Sequence, residues 1–226
     1  MAARRDAVLR LLGVERLELR TAVAHARPSP APPVDAATAT LAWEGLAHAV
    51  AACTRCALHA TRTQTVFGVG DRAAAWLVVG EAPGADEDLK GEPFVGRAGQ
   101  LLNSMLRAVG LAREQVYIAN VLKCRPPANR DPSPQETGCC LPYLHRQIAL
   151  LQPRIILCVG RIAAQNLLGV ETPLAKLRGH VHVLTPLATP VIVTYHPAYL
   201  LRSPGEKRKV WADLEFALEV AHGRRA

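Results

Sequence analysis

Four short apolar runs, each separated from the next by a helical pattern, constrain the fold of this 226-residue chain more than any other feature. The runs are AWLVVG, VYIANVLKC, RIILCVG and VIVTYHP, and segments such as AGQLLNSMLRAVG and RIAAQNLLG lie between them. Strands that alternate with helices form parallel sheets with crossover helices. We therefore predict an α/β fold with a doubly wound, four-stranded, mainly parallel sheet and helices on both faces.

Three further helices complete this prediction. LAWEGLAHAVAACTRC should form a helix before the first strand, and a last helix should run from Lys207 to His222. A helix is also expected around residues 135–151, where Pro142 should cause a kink or a break.

The first forty residues differ in composition from the rest. Residues 1–24 have helix-like periodicity, and RPSPAPPVDAATAT after them reads as a linker that cannot build a core. We predict that residues 1–40 form an appendage, either a contact for another protein or a frayed terminus. Residues 41–226 should form the single domain.

Charge and cysteine content indicate where the protein works. The formal net charge of +8 favours a polyanionic partner, although a basic surface can simply be solvated. No apolar run reaches the ~20 residues of a membrane span, and the N-terminus lacks a secretory pattern. Six cysteines without a signal peptide argue against a disulfide framework. We expect a monomer in the cytoplasm.

Polar or small residues stand where the predicted strands end. Gly80, Asn120, Gly160 and His196 all lie at or just past a carboxyl end. Ligands of parallel α/β sheets bind outside these ends. The first strand also leads into GEAPGADEDLKGEPFVGRAG, a loop rich in glycine and carboxylates. We predict one pocket at this edge of the sheet.

The cysteines form a second constellation. Cys53 and Cys56 are a C-x₂-C pair, and Cys124 and Cys140 are separated by fifteen residues. Four thiolates can hold a structural zinc ion or an iron–sulfur cluster, and the spacing does not separate the two. Cys158 lies inside a strand and should be core. Only one of the neighbours Cys139 and Cys140 can readily face a metal.

These motifs resemble the family 4 uracil-DNA glycosylases, which carry a 4Fe–4S cluster. The resemblance covers about residues 45–220 and rests on GEAPG (80–84), GEPFVGRAG (91–99), NVLKCRPPANRDP (120–132), CLPYL (140–144) and HPAYLLRSP (196–204). It implies a uracil-DNA glycosylase-like fold and hydrolysis of the N-glycosidic bond of uracil in single- or double-stranded DNA, on nucleoid DNA of a bacterial-type cell. It also implies cluster ligation by Cys53, Cys56, Cys124 and Cys140, with Cys139 free.

The resemblance also assigns roles in a uracil pocket. Phe94 would stack on the base, with Gly80 and Ala82 beside it. Asn120 would accept from N3–H and donate to O4, and His196 would donate to O2 as uracil leaves. Glu87 would lie near the C5 edge of uracil or near the sugar.

Ala82 stands where the wider superfamily has a water-positioning Asp. A dissociative path is therefore implied, with the water guided by backbone groups, Glu81 or Glu87.

The same resemblance places DNA contacts around HPAYLLRSP and PPANRDP. Leu200 or Leu201 would be the apolar wedge, unless they are core residues. Residues that would approach phosphates or the strand are Arg202, Ser203, Asn129 and Arg130.

Three other interpretations are weaker. A covalent uracil-binding relative would carry a His-bearing basic insertion, which is absent between Phe94 and Leu101. A non-catalytic iron–sulfur module docking on DNA or a polymerase would need none of Phe94, Asn120 and His196. The third interpretation is a protein in which four cysteines bind a zinc ion.

Overall fold

The computed structural model describes residues 36–224, and a six-stranded sheet lies at its centre. The strand order is β1-β3-β2-β4-β6-β5. The strands are β1 (Val69–Gly70), β2 (Trp76–Gly80), β3 (Tyr117–Asn120), β4 (Ile155–Val159), β5 (His182–Leu184) and β6 (Thr189–Thr194). The four central strands are parallel, which confirms the predicted α/β fold.

The edge strands β1 and β5 were not predicted, and both pair antiparallel with their neighbours. They have two and three residues, too short for an alternating pattern to stand out in the sequence. They extend the sheet without changing the direction of the four strands that carry the site.

Helices connect and cover these strands. They are α1 (Ala36–Ala39), α2 (Trp43–Ala51), α3 (Ala85–Lys90), α4 (Arg97–Ala108), α5 (Pro134–Leu151), α6 (Arg161–Leu168), α7 (Leu174–Leu177), α8 (Pro197–Arg202) and α9 (Lys207–Ala221). Short 3₁₀ segments lie at Ala57–Ala60, Arg113–Gln115, Pro127–Asn129 and Pro204–Glu206.

Three sequence expectations about elements were wrong in detail. Helix α5 continues through Pro142, which forfeits one backbone hydrogen bond but does not end the helix. Strand β3 ends at Asn120 instead of Cys124, although Val121 N–H and Leu122 N–H still donate to the Gly80 and Glu81 carbonyls at 2.9 and 3.0 Å. Helix α2 ends at Ala51, so Cys53 and Cys56 lie in the turn after it.

Two hydrophobic layers enclose the sheet, as the doubly wound prediction requires. One face packs against α5, α6 and α7 and includes Cys158, which is core as expected. The other face packs against α4, α8 and α9. A third cluster, around Leu46, Leu122 and Tyr143, surrounds the cysteines.

Packing against the domain begins before residue 41. Helix α1 packs on α5 with Thr38 buried, and Arg146 Nε donates to the Leu41 carbonyl at 2.7 Å. The expectations for residues 1–35 lie outside the described residues. Within residues 36–224, no helix has the length and apolar character needed to cross a bilayer.

Candidate active site and cysteine cavity

The carboxyl ends of β2, β3 and β6 open into one cavity of about 450 Å³. Its walls come from the loop after β2, the loop after β3, and the start of α8. The predicted site residues that line it are Glu81, Ala82, Glu87, Phe94, Asn120, Asn129, Arg130, His196 and Arg202. The predicted pocket at this edge of the sheet therefore exists.

Gly80 allows two pocket residues to approach the end of β2. A Cβ atom at this position would lie 2.6 Å from Phe94 Cε2 and Cζ, and would also collide with Asn120 Oδ1. Gly80 thus sits beneath the cavity, and its missing side chain lets Phe94 and Asn120 meet there.

The loop that carries Phe94 is held in a strained conformation. Phe94 has a φ of 54°, in the left-handed region that is uncommon for residues with a side chain. Arg113 fixes the loop, since its Nη1 donates to the Phe94 carbonyl at 3.2 Å and its Nη2 to the Pro93 carbonyl at 2.6 Å. Gly99 packs on the Phe94 carbonyl, where any Cβ would collide with backbone. The ring of Phe94 is therefore positioned before any base enters.

Glu87 clamps the same loop from the other side. Its Oε1 accepts from the backbone N–H groups of Val95 at 2.9 Å and Gly96 at 3.1 Å, and its Oε2 accepts from Gly84 N–H at 3.1 Å. Sequence reasoning proposed a contact with the base or the sugar. The structure gives Glu87 an additional role, because three N–H groups are already bound to its carboxylate.

Asn120 presents a buried polar atom to the cavity. The residue is 2% exposed, and its side-chain Oδ1 has no hydrogen-bond partner among the described residues. A buried acceptor without a partner is costly, so a ligand donor at this point stabilises the site. Lys123 supports the strand end from behind, since its buried Nζ donates to the Asn120 carbonyl at 2.8 Å.

His196 is the N-cap of α8 and is oriented by that role. Its Nδ1 accepts from Ala198 N–H at 3.1 Å, so the neutral ring carries its proton on Nε2. Burial, together with the smaller effect of the Arg202 cation, lowers the pKa of His196 to about 4. The ring lies 5.6 Å from that of Phe94. His196 is therefore a neutral hydrogen-bond donor at physiological pH.

Glu81 follows β2, and burial favours its neutral form as it does that of His196. Burial raises the pKa of Glu81 to about 7, and the Asp131 carboxylate adds to the rise while Arg161 opposes it. Arg161 pairs with Asp131 at 2.8 Å. Sequence reasoning missed Asp131 and Arg161, because only the fold brings the start of α6 beside the loop after β3.

The predicted DNA contacts are only partly supported. Leu200 is 1% exposed and packs in the core between α4 and α9, which supports the alternative that it is a core residue. Leu201 is 40% exposed and remains available. Arg202 lines the cavity, and Ser203 caps the end of α8.

Two other residues predicted to contact DNA, Arg130 and Asn129, already bind to other side chains of the protein. Arg130 makes a bidentate pair with Glu136, at 2.6 and 2.8 Å. The pair holds the pKa of Glu136 at about 2. Asn129 has a φ of 54°, and its Oδ1 accepts from Arg125 Nε at 2.8 Å. These contacts order the loop after β3 at the rim of the cavity.

The four predicted ligand cysteines line a second, smaller cavity. It is bounded by Cys53, Cys56, Cys124, Cys139, Cys140 and Tyr143, among others. Backbone N–H of Lys123 donates to Cys140 Sγ at 3.1 Å, and Arg62 Nη1 donates to Cys124 Sγ at 3.1 Å. Cys139 Sγ instead donates to the Arg55 carbonyl at 3.3 Å. Hydrogen bonds to sulfur are typical of thiolates that bind iron–sulfur clusters.

The donor set of this cavity fits a thiolate-bound group. Within the described part of the chain, no group of three or more His, Cys, Asp or Glu side chains is arranged to hold a metal ion. The cysteines nevertheless share one cavity, and the potential ligands in it are mostly sulfur, the others being the His59 ring and the Tyr143 hydroxyl. His59 Nδ1 is engaged with the Cys56 carbonyl at 2.8 Å.

Comparison with known families agrees with this geometry. Residues 67–215 match the family model of the Uracil DNA glycosylase superfamily. This chain therefore belongs to the uracil DNA glycosylase superfamily, which confirms the resemblance inferred from the motifs.

Its relatives indicate which members of the superfamily this chain resembles most. The type-4 uracil-DNA glycosylase of Archaeoglobus fulgidus is 48% identical over 172 residues, which cover 74% of this chain and 86% of the relative. That of Thermotoga maritima is 43% identical over 172 residues, covering 73% and 87%. The type-5 uracil-DNA glycosylase of Thermus thermophilus is 31% identical over 149 residues, covering 58% and 68%. This chain is thus more similar to these type-4 proteins than to that type-5 protein.

Proposed function

We propose that this protein is a DNA-repair enzyme that excises uracil from DNA, leaving an abasic site. The observation that carries the proposal is the buried, unpartnered Oδ1 of Asn120 at the floor of a cavity shared with Phe94 and His196. Family membership and the type-4 relatives support the same assignment. An enzyme acting on a base inside DNA must first extrude it, and the cavity offers a place for the extruded base.

Base recognition follows from the side-chain amide of Asn120, whose Oδ1 has no partner among the described residues. Uracil N3 carries a hydrogen, which Oδ1 of Asn120 can accept, while the amide nitrogen can donate to O4. Cytosine has an unprotonated N3 and an amino group at C4, so both contacts would be mismatched. Phe94 supplies a ring face against which the flat base stacks.

Departure of the base requires stabilisation of negative charge on uracil. The neutral His196 ring holds Nε2–H because its Nδ1 is bound to Ala198 N–H. A preorganised donor aimed at O2 stabilises the developing anion without reorganisation. Because the pKa of His196 is about 4, this donor acts as imidazole and not as imidazolium.

The attacking water needs a nearby general base that can accept a proton from it. Glu81 lines the cavity and has a pKa of about 7, near the working pH at which a general base is most useful. Glu87 is less suited to this role, because its carboxylate is held by three backbone N–H groups. We assign water positioning to Glu81 and loop positioning to Glu87.

Cys53, Cys56, Cys124 and Cys140 would hold a 4Fe–4S cluster. When bound, the cluster supplies a crosslink between the turn after α2, the loop after β3 and helix α5. The N–H groups of Lys123 and Arg62 that reach Cys140 and Cys124 stabilise these thiolates. A visible absorption spectrum and an iron assay of purified protein distinguish this cluster from zinc.

The surface around α8 is proposed as the DNA-binding edge. Leu201 is the exposed apolar residue that fits a wedge, and Arg202 beside the cavity fits a phosphate partner. We further propose that the protein acts as a monomer on nucleoid DNA in the cytoplasm. Six cysteines without a predicted disulfide framework fit a reducing compartment.

The direct test uses oligonucleotides with one uracil. After incubation with the iron-replete protein, alkaline treatment should cleave the strand only where uracil was present. Matched strands with thymine or cytosine at the same position should stay intact. Binding without any cleavage would favour a non-catalytic docking module instead.

A further inference from the structure

Two tyrosines that flank His196 in the sequence also stack on each other. The ring centroids of Tyr195 and Tyr199 are 5.0 Å apart, with an angle of 34° between the rings. Neither ring has a role in the mechanism above. Tyr195 follows β6 directly, and Tyr199 lies in the first turns of α8.

Tyr195 is anchored to the core. The guanidinium carbon of Arg178 lies 4.4 Å from the centre of its ring. Arg178 is itself held by a bidentate pair with buried Asp213, at 2.8 and 2.9 Å, and Asp213 also accepts from the Thr194 hydroxyl at 2.6 Å. The Tyr195 ring behind Tyr199 therefore packs against a guanidinium group that charge-assisted hydrogen bonds hold in place.

Tyr199 is partly exposed and borders the cavity of the proposed active site. It is 37% exposed and lines the cavity that Asn120, Phe94 and His196 share. On α8 it stands between His196 and the exposed Leu201. Its free surface is thus close both to the proposed uracil site and to the proposed wedge.

We propose that Tyr199 is a stacking surface for a nucleobase adjacent to the extruded uridine. This inference rests on the proposed function, because it requires a base to leave the stack. Once uracil is extruded, each neighbouring base loses one stacking partner, and an aromatic ring can replace it for any base. The Tyr195–Tyr199 stack holds this ring in place in advance, which lowers the entropy lost on binding.

The experiment removes either the ring or the base that it would contact. The Tyr199→Ala, Tyr199→Leu and Tyr199→Phe proteins are compared with the intact protein by single-turnover excision and by dissociation constants. The oligonucleotides contain uracil with normal neighbours, or with a tetrahydrofuran abasic residue as the 5′ or the 3′ neighbour. For the binding measurements, 2′-fluoro-deoxyuridine replaces the cleavable nucleotide.

We expect a loss of DNA-binding affinity that depends on the presence of the neighbouring base. With normal neighbours, Tyr199→Ala and Tyr199→Leu should weaken binding about tenfold, as expected for one base–aromatic stack. On one of the two oligonucleotides with an abasic neighbour, these variants should match the intact protein. Tyr199→Phe should behave like the intact protein on every strand, because it keeps the ring.

Trp211→Ala is the matched control. Trp211 is also an exposed aromatic residue, at 42%, but it lies on α9 in a groove with Leu101 and Met105. Its loss should change neither binding nor excision. Thermal melting of each variant checks that the fold is intact, and Tyr199→Leu keeps an apolar contact with Tyr195 if the alanine variant is unstable.

Two outcomes would overturn the inference. One is unchanged binding in Tyr199→Ala and Tyr199→Leu, and the other is the same loss on all three oligonucleotides. An intact protein that binds but never excises uracil would overturn the proposed function, whereas the binding comparison would still decide the role of Tyr199. The two failures are thus distinguishable.

Discussion

At the scale of single residues, burial gives two groups in the same cavity a common preference for their neutral forms. Burial raises the pKa of Glu81 to about 7 and lowers that of His196 to about 4. Between these values, His196 is a neutral donor while Glu81 gains its charge as the pH rises. We therefore assign the pH dependence of excision above pH 5 to Glu81.

The Glu81→Gln variant tests this assignment. In the intact protein, the single-turnover rate should rise about tenfold per pH unit up to pH 7 and then level off, since only ionised Glu81 can act as a base. Glu81→Gln should be slower above pH 7 and should lose this dependence. A rate profile of the variant that still follows a group with a pKa near 7 would show that another residue positions the water.

The same variant should not be less stable. Folding raises the pKa of Glu81 above its unfolded value of about 4.3, so ionisation of Glu81 destabilises the folded state as the pH rises towards 7. Removing the charge should leave the melting temperature at pH 8 equal or higher. A lower melting temperature would mean that Glu81 has a structural role.

The sequence predicted some residues of the site better than others. Asn120, Phe94 and His196 could be located because each stands at a strand end or in a glycine-rich loop. Asp131 and Tyr199 could not, since their relevance depends on which side chains the fold brings beside them. Leu200 and Leu201 are adjacent apolar residues, and only the packing of α8 decides that Leu200 is core.

At the scale of elements, the loop after β2 and the start of α4 behave as one unit. Glu87 and Arg113 hold the loop through five hydrogen bonds to backbone atoms. Gly99, in the first turn of α4, packs against the Phe94 carbonyl. The position of the Phe94 ring therefore depends on a residue that does not itself line the cavity.

Gly99→Ala tests this dependence. The new Cβ would collide with backbone, so the loop must shift and uracil excision should fall at least about tenfold with the loss of the Phe94 stack. Gly138→Ala in α5 is the control, because a Cβ there meets nothing within 4 Å. It should keep full excision and gain about 0.5–1 kcal/mol of folding stability.

Equal excision by the Gly99→Ala and Gly138→Ala proteins would contradict the role of the contact between Gly99 and the Phe94 carbonyl.

At the scale of elements, the sequence predicted the parallel strands and the main helices, because their apolar periods are long enough to recognise. The exact end of β3 and the edge strands depend on pairing with neighbours, which a single strand pattern does not encode.

At the scale of the whole molecule, the cysteine cavity joins segments that are distant in the sequence. Its proposed ligands come from the turn after α2, from the loop after β3 and from α5. The same α5 contributes Gln147, which accepts from Lys123 Nζ behind Asn120 at 2.7 Å. Loss of the cluster should therefore affect both folding and the base pocket.

Neighbouring cysteines provide a matched test of the ligand set. Cys140→Ala should lose most of the iron and give poorly soluble protein, because the thiolate ligand and the hydrogen bond that it accepts from Lys123 N–H are both lost. Cys139→Ala should keep the full iron content measured per protein chain. The reverse pattern would show that Cys139 is the ligand.

The N-terminal segment is expected to be dispensable for excision. A truncated protein beginning at Ala36 should retain the cluster and the excision rate, since α1 and its packing on α5 are kept. Beginning at Leu41 should also preserve excision, but should lower the melting temperature because buried Thr38 is lost. Iron-replete Ala36-truncated protein without activity would make residues 1–35 part of the DNA surface.

The central claim is that Asn120 reads uracil at the floor of the cavity. Its most direct test is single-turnover excision by the intact protein and by Asn120→Asp on paired strands with uracil or cytosine. An ionised Asp can accept from N3–H but places an oxygen against O4, and its charge opposes the uracil anion that forms near His196. The unmade hydrogen bond alone costs about 1–3 kcal/mol, so uracil excision should fall at least about fivefold, and the opposing charge should lower it further. Uracil excision by Asn120→Asp at the rate of the intact protein would contradict the account.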